Sequence, residues 1–171
     1  LFGDGAGAAV LLPSENDGGK ILSAHSGTDG RQAELLNIPG GGSCCPITVE
    51  NADKNLATLA MQGREVFKHA VNAMRRASEQ AIEMANLSPA DFDMVIPHQA
   101  NLRIIDAIAD RLEVSNDKVF INLEKYGNTS AAAVAIALDE ANRQEKIKSG
   151  DHILLVAFGA GLTWASAAIK W

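Results

Sequence analysis

Apolar residues along the chain fall into two kinds of block, short continuous runs and longer runs with helical spacing. The continuous runs, bounded by Gly, Pro, Asn and Asp, predict strands. The longer blocks repeat apolar residues every three or four positions and predict helices. Strands are predicted within AAVLL (8–12), GGKILSAHSG (18–27), FDMVIPH (92–98), KVFINL (118–123), HILLVAFGAG (152–161) and LTWASAAIKW (162–171), and helices within 61–87, 100–112 and 128–147.

The order of these blocks predicts an α/β fold. Strands alternate with helices between residues 61 and 161, which is typical of parallel strands covered by helices. The last two strands are joined only by a Gly-Ala-Gly link, and so short a link requires an antiparallel pair. We therefore predict a mixed five-stranded sheet with helices on both faces. Ser88 and Pro89 predict a capped turn before the strand at 92–98.

Residues 29–60 show neither a continuous apolar run nor helical spacing of apolar residues, and they are rich in Gly, Asn, Ser and Asp. A connection this long is unusual in a compact domain, which leaves two interpretations, a functional lid or a poorly ordered loop. The segment contains both cysteines, Cys44 and Cys45. Their adjacency fits no zinc spacing, so we interpret them as reduced thiols in a loop and expect no metal site.

Charge and hydropathy exclude several functions. The chain has 171 residues, 15 Lys and Arg against 21 Asp and Glu, and a net charge of −6. A nucleic-acid surface would need a basic stripe, and no apolar run reaches the ~18 residues that span a bilayer. No positively charged leader precedes an apolar segment. We expect a cytoplasmic protein that binds neither nucleic acid nor membrane.

Polar or glycine-rich positions follow three of the predicted strands. These are His98, Asn128 and the FGAG backbone at 158–161. Sites in open α/β sheets form at the carboxyl ends of strands, so the three are candidate site residues. Each also has a structural alternative. His98 alone fits a structural histidine, Asn128 or Thr129 fits a helix cap, and FGAG fits a tight turn. The GDGAGA opening is followed by a strand and has no acidic partner, so we reject a dinucleotide site.

Six stretches together resemble the β-ketoacyl-acyl-carrier-protein synthase III enzymes of the thiolase superfamily. They are LFGDGAGAAVL, GREVFK, PHQANLRII, YGNTSAA, ALDEA and FGAGLTWASA, in the family's order. The resemblance implies the C-terminal half of a thiolase-like fold, with residues 1–16 as the end strand of the N-terminal half. Residues 17–171 would form the C-terminal domain, with 29–60 as an active-site lid.

The resemblance also implies a reaction. Such enzymes start fatty acid synthesis by condensing an acyl-coenzyme A, expected here to be acetyl-coenzyme A, with malonyl-acyl carrier protein, without a cofactor. His98 and Asn128 would complete a Cys-His-Asn triad by donating hydrogen bonds to the enolate oxygen. The backbone of Ala160, where the family has glycine, would form a second oxyanion hole. Phe158 would lie beside the nucleophile.

Further residues take roles from the same resemblance. Asn101 would bind pantetheine, and Met61, Gly63, Arg64 and Ile104 would line its tunnel. Lys68, Arg103 and Arg111 would face the acidic carrier protein, although each also fits a solvated helix face. Two positions depart from the family, because Arg64 replaces asparagine and Asp110 replaces a basic residue.

The nucleophilic cysteine of the family has no counterpart here, since Cys44 and Cys45 lie in the irregular segment. The chain opens at Leu1 within an apolar element. We therefore expect an inactive C-terminal part of a longer enzyme, which pairs with its own N-terminal half and is homodimeric at full length. Two alternatives remain open, namely a synthase for an unusual acyl primer and a non-catalytic thiolase-fold binding module.

Overall fold

The computed structural model describes residues 2–14 and 18–171. In chain order its strands and α-helices are β1 (Lys20–Thr28), β2 (Leu36–Asn37), β3 (Ala60–Met61), α1 (Gly63–Met84), β4 (Met94–Pro97), α2 (Leu102–Arg111), α3 (Leu123–Tyr126), α4 (Ala132–Arg143), β5 (His152–Gly159) and β6 (Thr163–Lys170). The predicted helices and four of the six predicted strands are confirmed.

One mixed sheet has the strand order β1-β6-β5-β4. Strands β4 and β5 are parallel, with Pro97 opposite Val156, whereas β5–β6 and β6–β1 are antiparallel. The mixed sheet and the antiparallel last pair are therefore confirmed. The described part of this sheet has four strands, not the predicted five.

Helices α1 and α2 cover one face of the sheet. The buried side of α1 recurs every three or four residues, for example Val66, Ala70 and Met74. Ala70 and Met74 pack with Ile108 of α2 and Leu154 of β5 in one apolar cluster. Burial of this stripe is what holds a 22-residue helix on the sheet, since propensity alone contributes little.

Helix α4 covers the opposite face. Its alanines Ala137 and Ala141 are fully buried against Ile153 and Ile96 in a second cluster. Their small side chains let the helix backbone come close to the sheet. Helices on both faces, as predicted, are thus confirmed.

Two of the predicted strands, 8–12 and 118–123, do not form. Residues 118–123 form only an isolated parallel bridge, between Val119 and Val95. In the segment 3–14 no ladder forms, and Val10 is 83% exposed. A strand needs a neighbour for its backbone N–H and C=O groups, and no described strand adjoins residues 8–12.

The glycines of the GDGAGA opening allow this segment to cross closely over α3 and α4. A Cβ on Gly3 would lie 2.0 Å from the carbonyl oxygen of Tyr126, and one on Gly7 would lie 2.4 Å from Cβ of Ala135. Gly5 faces Ile136 at 2.8 Å. The alternate spacing of the glycines follows from this contact, because every second residue faces the helices.

The segment 29–60 has little regular structure. It contains short 3₁₀ helices at Gly30–Leu35 and Ala52–Lys54, and its ends are joined by the two-residue ladder of β2 with β3. Cys44 is exposed and Cys45 is half-buried. The capped turn at Ser88 is confirmed, since Ser88 and Asp91 form a capping box.

We predict that Ile108→Ala lowers the free energy of unfolding by about 2–5 kcal/mol, because Ile108 is completely buried between α2 and the sheet. Urea denaturation monitored by circular dichroism measures the change. Asp106→Ala, on the exposed side of the same helix, is the control and should stay within about 0.5 kcal/mol of the parent. Equal losses in both variants would contradict this packing.

Candidate active site

A large open cavity lies at the carboxyl ends of β4 and β5. Its volume is about 1450 Å³, and its walls come from β1, α1, the start of α2, the residues before α4, and the β5–β6 turn. Both His98 and Asn128 line it. His98 follows β4 as predicted, whereas the strand predicted before Asn128 is absent and α3 precedes this residue. Most of the cavity surface is apolar.

His98 enters the cavity wall directly after β4. Its backbone N–H donates to the carbonyl of Val156 at 2.8 Å, which continues the β4–β5 ladder by one residue. The half-buried imidazole forms no hydrogen bond with any described residue. Burial lowers the pKa of His98 below the ordinary value, so the ring is neutral at pH 7 and keeps one N–H donor.

The orientation of the Asn128 side chain is set by its own backbone. Oδ1 accepts a hydrogen bond from the backbone N–H of Ser130 at 2.9 Å. That bond fixes which side-chain atom is oxygen, and it leaves Nδ2 as a donor that no described residue accepts. The alternative of a helix cap is wrong, since the N-cap of α4 is Ala131 and has no side-chain cap bond.

The β5–β6 turn forms another wall of the cavity. Phe158 and Ala160 both line it, and the carbonyl of Ala160 accepts from Oγ1 of Thr163 at 3.1 Å. Gly161, not Ala160, has the positive φ of this turn, at +135°. An alanine at 160 is therefore compatible with the turn, because the left-handed position falls on the glycine.

The structure brings most of the other candidate residues to the same cavity. Those that line it are Met61, Gly63, Arg64, Lys68, Asn101, Arg103 and Ile104. Arg111 does not line the cavity and lies exposed at the end of α2. The cations at the cavity rim therefore come from the first two turns of α1 and the first turn of α2.

Asn101 has a structural role that the sequence analysis did not assign. Its Oδ1 accepts from the backbone N–H of Ile104 at 3.0 Å, so it is the N-cap of α2. Its Nδ2 has no acceptor among the described residues. Leu102, the first residue of α2, is 51% exposed and lines the cavity.

The cationic residues at the rim differ in their partners. Lys68 forms an i,i+3 ion pair with Glu65 at 2.8 Å, and the guanidinium of Arg103 lies 5.6 Å from the ring centre of Phe67. Arg64 lies exposed beside them. An anionic group that approaches this rim meets positive side chains from both α1 and α2.

Several cavity residues were missed by the sequence analysis. Gly27 and Trp164 face each other across β1 and β6, and a Cβ on Gly27 would lie 2.7 Å from the indole ring. Both line the cavity. Nothing local marks them as site residues, because only the antiparallel pairing of two distant segments brings them together.

Neither a metal-binding cluster nor a membrane-spanning helix is found in the described ranges, residues 2–14 and 18–171. No group of three His, Cys, Asp or Glu side chains with metal-binding proximity occurs there. Neither does any helix in these ranges combine the length and apolar character that a bilayer crossing requires.

Comparison with known proteins agrees with this geometry. Relatives named β-ketoacyl-[acyl-carrier-protein] synthase III occur in Caldanaerobacter subterraneus subsp. tengcongensis, 58% identical over all 171 residues, and in Clostridioides difficile, 52% identical over the same length. The chain covers 51% and 52% of these relatives. It therefore spans about half the length of the curated relatives it matches.

Solved structures give the same result for the fold. The 3-oxoacyl-[acyl-carrier-protein] synthase III of Aquifex aeolicus VF5 superposes with a TM-score of 0.81 at 40% identity, over 93% of this chain and 46% of that one. The Thermus thermophilus synthase III gives 0.79 at 43% identity, over 91% and 47%. The fold is thus that of the thiolase-like condensing enzymes.

Residues 82–171 match the family described as 3-oxoacyl-[acyl-carrier-protein (ACP)] synthase III C terminal. This match covers more than half of the chain and includes His98, Asn128 and the β5–β6 turn. The chain belongs to this family.

We predict that His98 contributes to the pH dependence of stability. Because burial lowers its pKa, the unfolded state binds the proton more readily, and stability is lost as pH falls through about 6.5, the ordinary value of an unfolded histidine. The His98→Gln variant should show a smaller drop in unfolding free energy between pH 7.5 and pH 5.5. Asn128→Ala, a cavity substitution without a titrating group, should keep the parent's drop; an unchanged drop in His98→Gln would contradict the prediction.

Proposed function

We propose that this chain is the C-terminal part of a 3-oxoacyl-acyl-carrier-protein synthase III. The full enzyme would start fatty acid synthesis by a decarboxylative Claisen condensation of an acyl-coenzyme A, here acetyl-coenzyme A, with malonyl-acyl carrier protein. The observation that carries the proposal is that two neutral donors, the His98 imidazole and the Asn128 amide, line one mostly apolar cavity and have no acceptor among the described residues.

These two donors fit the charge that the reaction develops. When the malonyl thioester breaks its bond to the carboxylate, carbon dioxide leaves and the electron pair forms an enolate whose oxygen becomes negative. Neutral donors that are already oriented stabilise such an oxygen without reorganisation. The bond from Ser130 to Asn128 Oδ1 supports this role, because it holds Nδ2 as the donor.

The carbanion then attacks the carbonyl carbon of the acyl thioester. The new carbon–carbon bond forms as the thiolate leaves, through a tetrahedral oxyanion that the backbone N–H of Ala160 would stabilise. In this proposal the acyl group is carried by a cysteine outside this chain, since neither Cys44 nor Cys45 lines the cavity. Phe158 would border that cysteine.

The pantetheine arm would enter through the cavity mouth. Asn101 Nδ2 is available to an amide carbonyl of the arm, and Met61, Gly63, Arg64 and Ile104 would line its path. No cofactor is required for this chemistry. We also propose a cytoplasmic location, a homodimer at full length, and residues 29–60 as the lid of the site.

The acidic carrier protein would dock on the rim of the cavity. Lys68 of α1 and Arg103 of α2 lie there, and Arg111 lies at the C-terminal end of α2. Charges at an interface rim chiefly speed encounter and align the partners.

We predict that His98→Ala and Asn128→Ala in the full-length protein each lower malonyl decarboxylation by about a hundred- to a thousandfold, because each removes one donor to the enolate oxygen. Acyl loading from acetyl-coenzyme A should change far less. Release of labelled carbon dioxide and mass spectrometry of the acylated protein measure the two half-reactions separately.

His152→Ala is the matched control, since His152 begins β5 at the opposite end of the strand from the cavity. It should leave both half-reactions near the parent values. An equal fall of both half-reactions in His98→Ala would show that His98 has a structural role.

We predict that Arg103→Glu raises KM for malonyl-acyl carrier protein by about tenfold, because it reverses one rim charge, while KM for malonyl-coenzyme A changes less. Steady-state kinetics at two salt concentrations measure this, and added salt should reduce the difference from the parent. Lys148→Glu, in the turn before β5, is the control for net charge. An equal effect of both variants would contradict a docking surface at the rim.

A further inference from the structure

Gln99 is the neighbour of a cavity residue, His98, yet it does not line the cavity itself. It follows His98 directly and is only 1% exposed. A buried side-chain amide requires partners for two donors and an acceptor, and an unsatisfied group costs about 1–3 kcal/mol. The partners of Gln99 are therefore informative.

Among the described residues, the hydrogen-bond partners of this amide are backbone groups on two segments. Nε2 donates to the carbonyl of Pro97 at 2.8 Å and to the carbonyl of Phe120 at 3.2 Å. Oε1 accepts from the backbone N–H of Asn122 at 3.1 Å. The amide thus lies between the end of β4 and residues 120–122.

The pairing of these two segments explains why a side chain is needed there. Phe120 N–H donates to the carbonyl of Val95 at 3.0 Å, as in a parallel ladder. The next bond of such a ladder would run from the N–H of residue 97 to the carbonyl of Phe120. Residue 97 is a proline and has no N–H, so the carbonyl of Phe120 loses its backbone donor.

The direction of the strand confirms which side is affected. Successive N–H groups of a strand point to opposite neighbours, and the N–H of His98 donates toward β5, to Val156. The missing N–H of Pro97 therefore lies on the side of residues 119–122. Nε2 of Gln99 occupies that side.

The same amide also separates the two backbones. A regular ladder would continue from the N–H of Asn122 to the carbonyl of Pro97. Here Asn122 N–H bonds to Oε1 and the Pro97 carbonyl bonds to Nε2, so the amide is inserted between them. This insertion accounts for the finding that residues 118–123 make a single bridge and not a strand.

Asn122 connects the inserted amide to the segment that leads to Asn128. Its side chain is buried and donates from Nδ2 to Glu140 of α4 at 2.8 Å. Asn122 is also the N-cap residue of α3, and α3 ends two residues before Asn128. The chain is thus held on both sides at the start of the short segment that leads to Asn128.

We propose that Gln99 is a positioning residue that sets the separation of the His98 and Asn128 segments, by inserting its amide into the ladder that Pro97 interrupts. The proposal rests on the proposed function for its activity readout and on the backbone geometry for its structural readout. The two readouts are independent of one another.

The first test is Gln99→Leu in the full-length protein. The substitution should change the separation of His98 and Asn128, so kcat for malonyl decarboxylation should fall about ten- to a hundredfold. Acyl loading and KM for the malonyl thioester should stay within about threefold of the parent. Ser23→Ala is the control, since it also removes a buried side-chain bond to a backbone carbonyl, that of Ala81, away from the cavity.

The second test adds Pro97→Ala to Gln99→Leu. The double variant regains a backbone N–H at residue 97, so the ladder can close and thermal stability should rise above that of Gln99→Leu. Decarboxylation should remain low, because a closed ladder has lost the inserted amide. This variant also carries the test if Gln99→Leu alone does not fold.

A crystal structure of the double variant supplies the readout that does not depend on activity. It should show the N–H of Asn122 bonded directly to the carbonyl of residue 97. The proposal is overturned if that bond is absent, if Gln99→Leu decarboxylates normally, if both half-reactions fall equally, or if the double variant recovers activity together with stability. A parent protein without decarboxylation, combined with a closed ladder in the variant, would refute the proposed function and leave the spacing role of Gln99 supported.

Discussion

The parallel register of β4 with β5 is the constraint on which the site depends. Pro97 lies opposite Val156, and one further backbone bond holds His98 beside the same strand. Phe158 lies two residues beyond Val156 and the β5–β6 turn begins at Ala160, so both come to the same edge as the imidazole. A slip of one residue would move His98 to the other face of the sheet.

The site orients its side-chain amides in two ways. Asn128 uses its oxygen on its own backbone and keeps its amide hydrogens available, and Asn101 does the same at a helix N-cap. Gln99 instead satisfies backbone groups that a proline leaves without partners. In each case a hydrogen bond with the backbone orients the amide. For Gln99, which is buried, these bonds also remove the cost of burying an unsatisfied amide.

The electrostatic character of the cavity changes from its floor to its mouth. At the floor, burial lowers the pKa of His98 and keeps the ring neutral, which suits a hydrogen-bond donor better than a strongly hydrated charge would. At the mouth, Arg64, Lys68 and Arg103 are accessible to solvent and carry positive charge. In the proposed function, the neutral floor would receive the thioester end of the substrate and the cationic mouth its anionic end.

The sequence alone determined the helices, the mixed α/β class and the residues that follow the strands, because apolar spacing and strand-end position are local properties. The position of His98 at the end of β4 was predictable for that reason. Asn128 follows α3 and not a strand, so its place at the cavity was decided by tertiary structure. The pairing of 118–123, the exposure of Leu102, and the contact of Gly27 with Trp164 were decided by tertiary structure, since each depends on a partner distant in sequence. The role of Gln99 depends on both: Pro97 is visible in the sequence, but the carbonyl it leaves without a donor belongs to Phe120, which only the fold brings alongside.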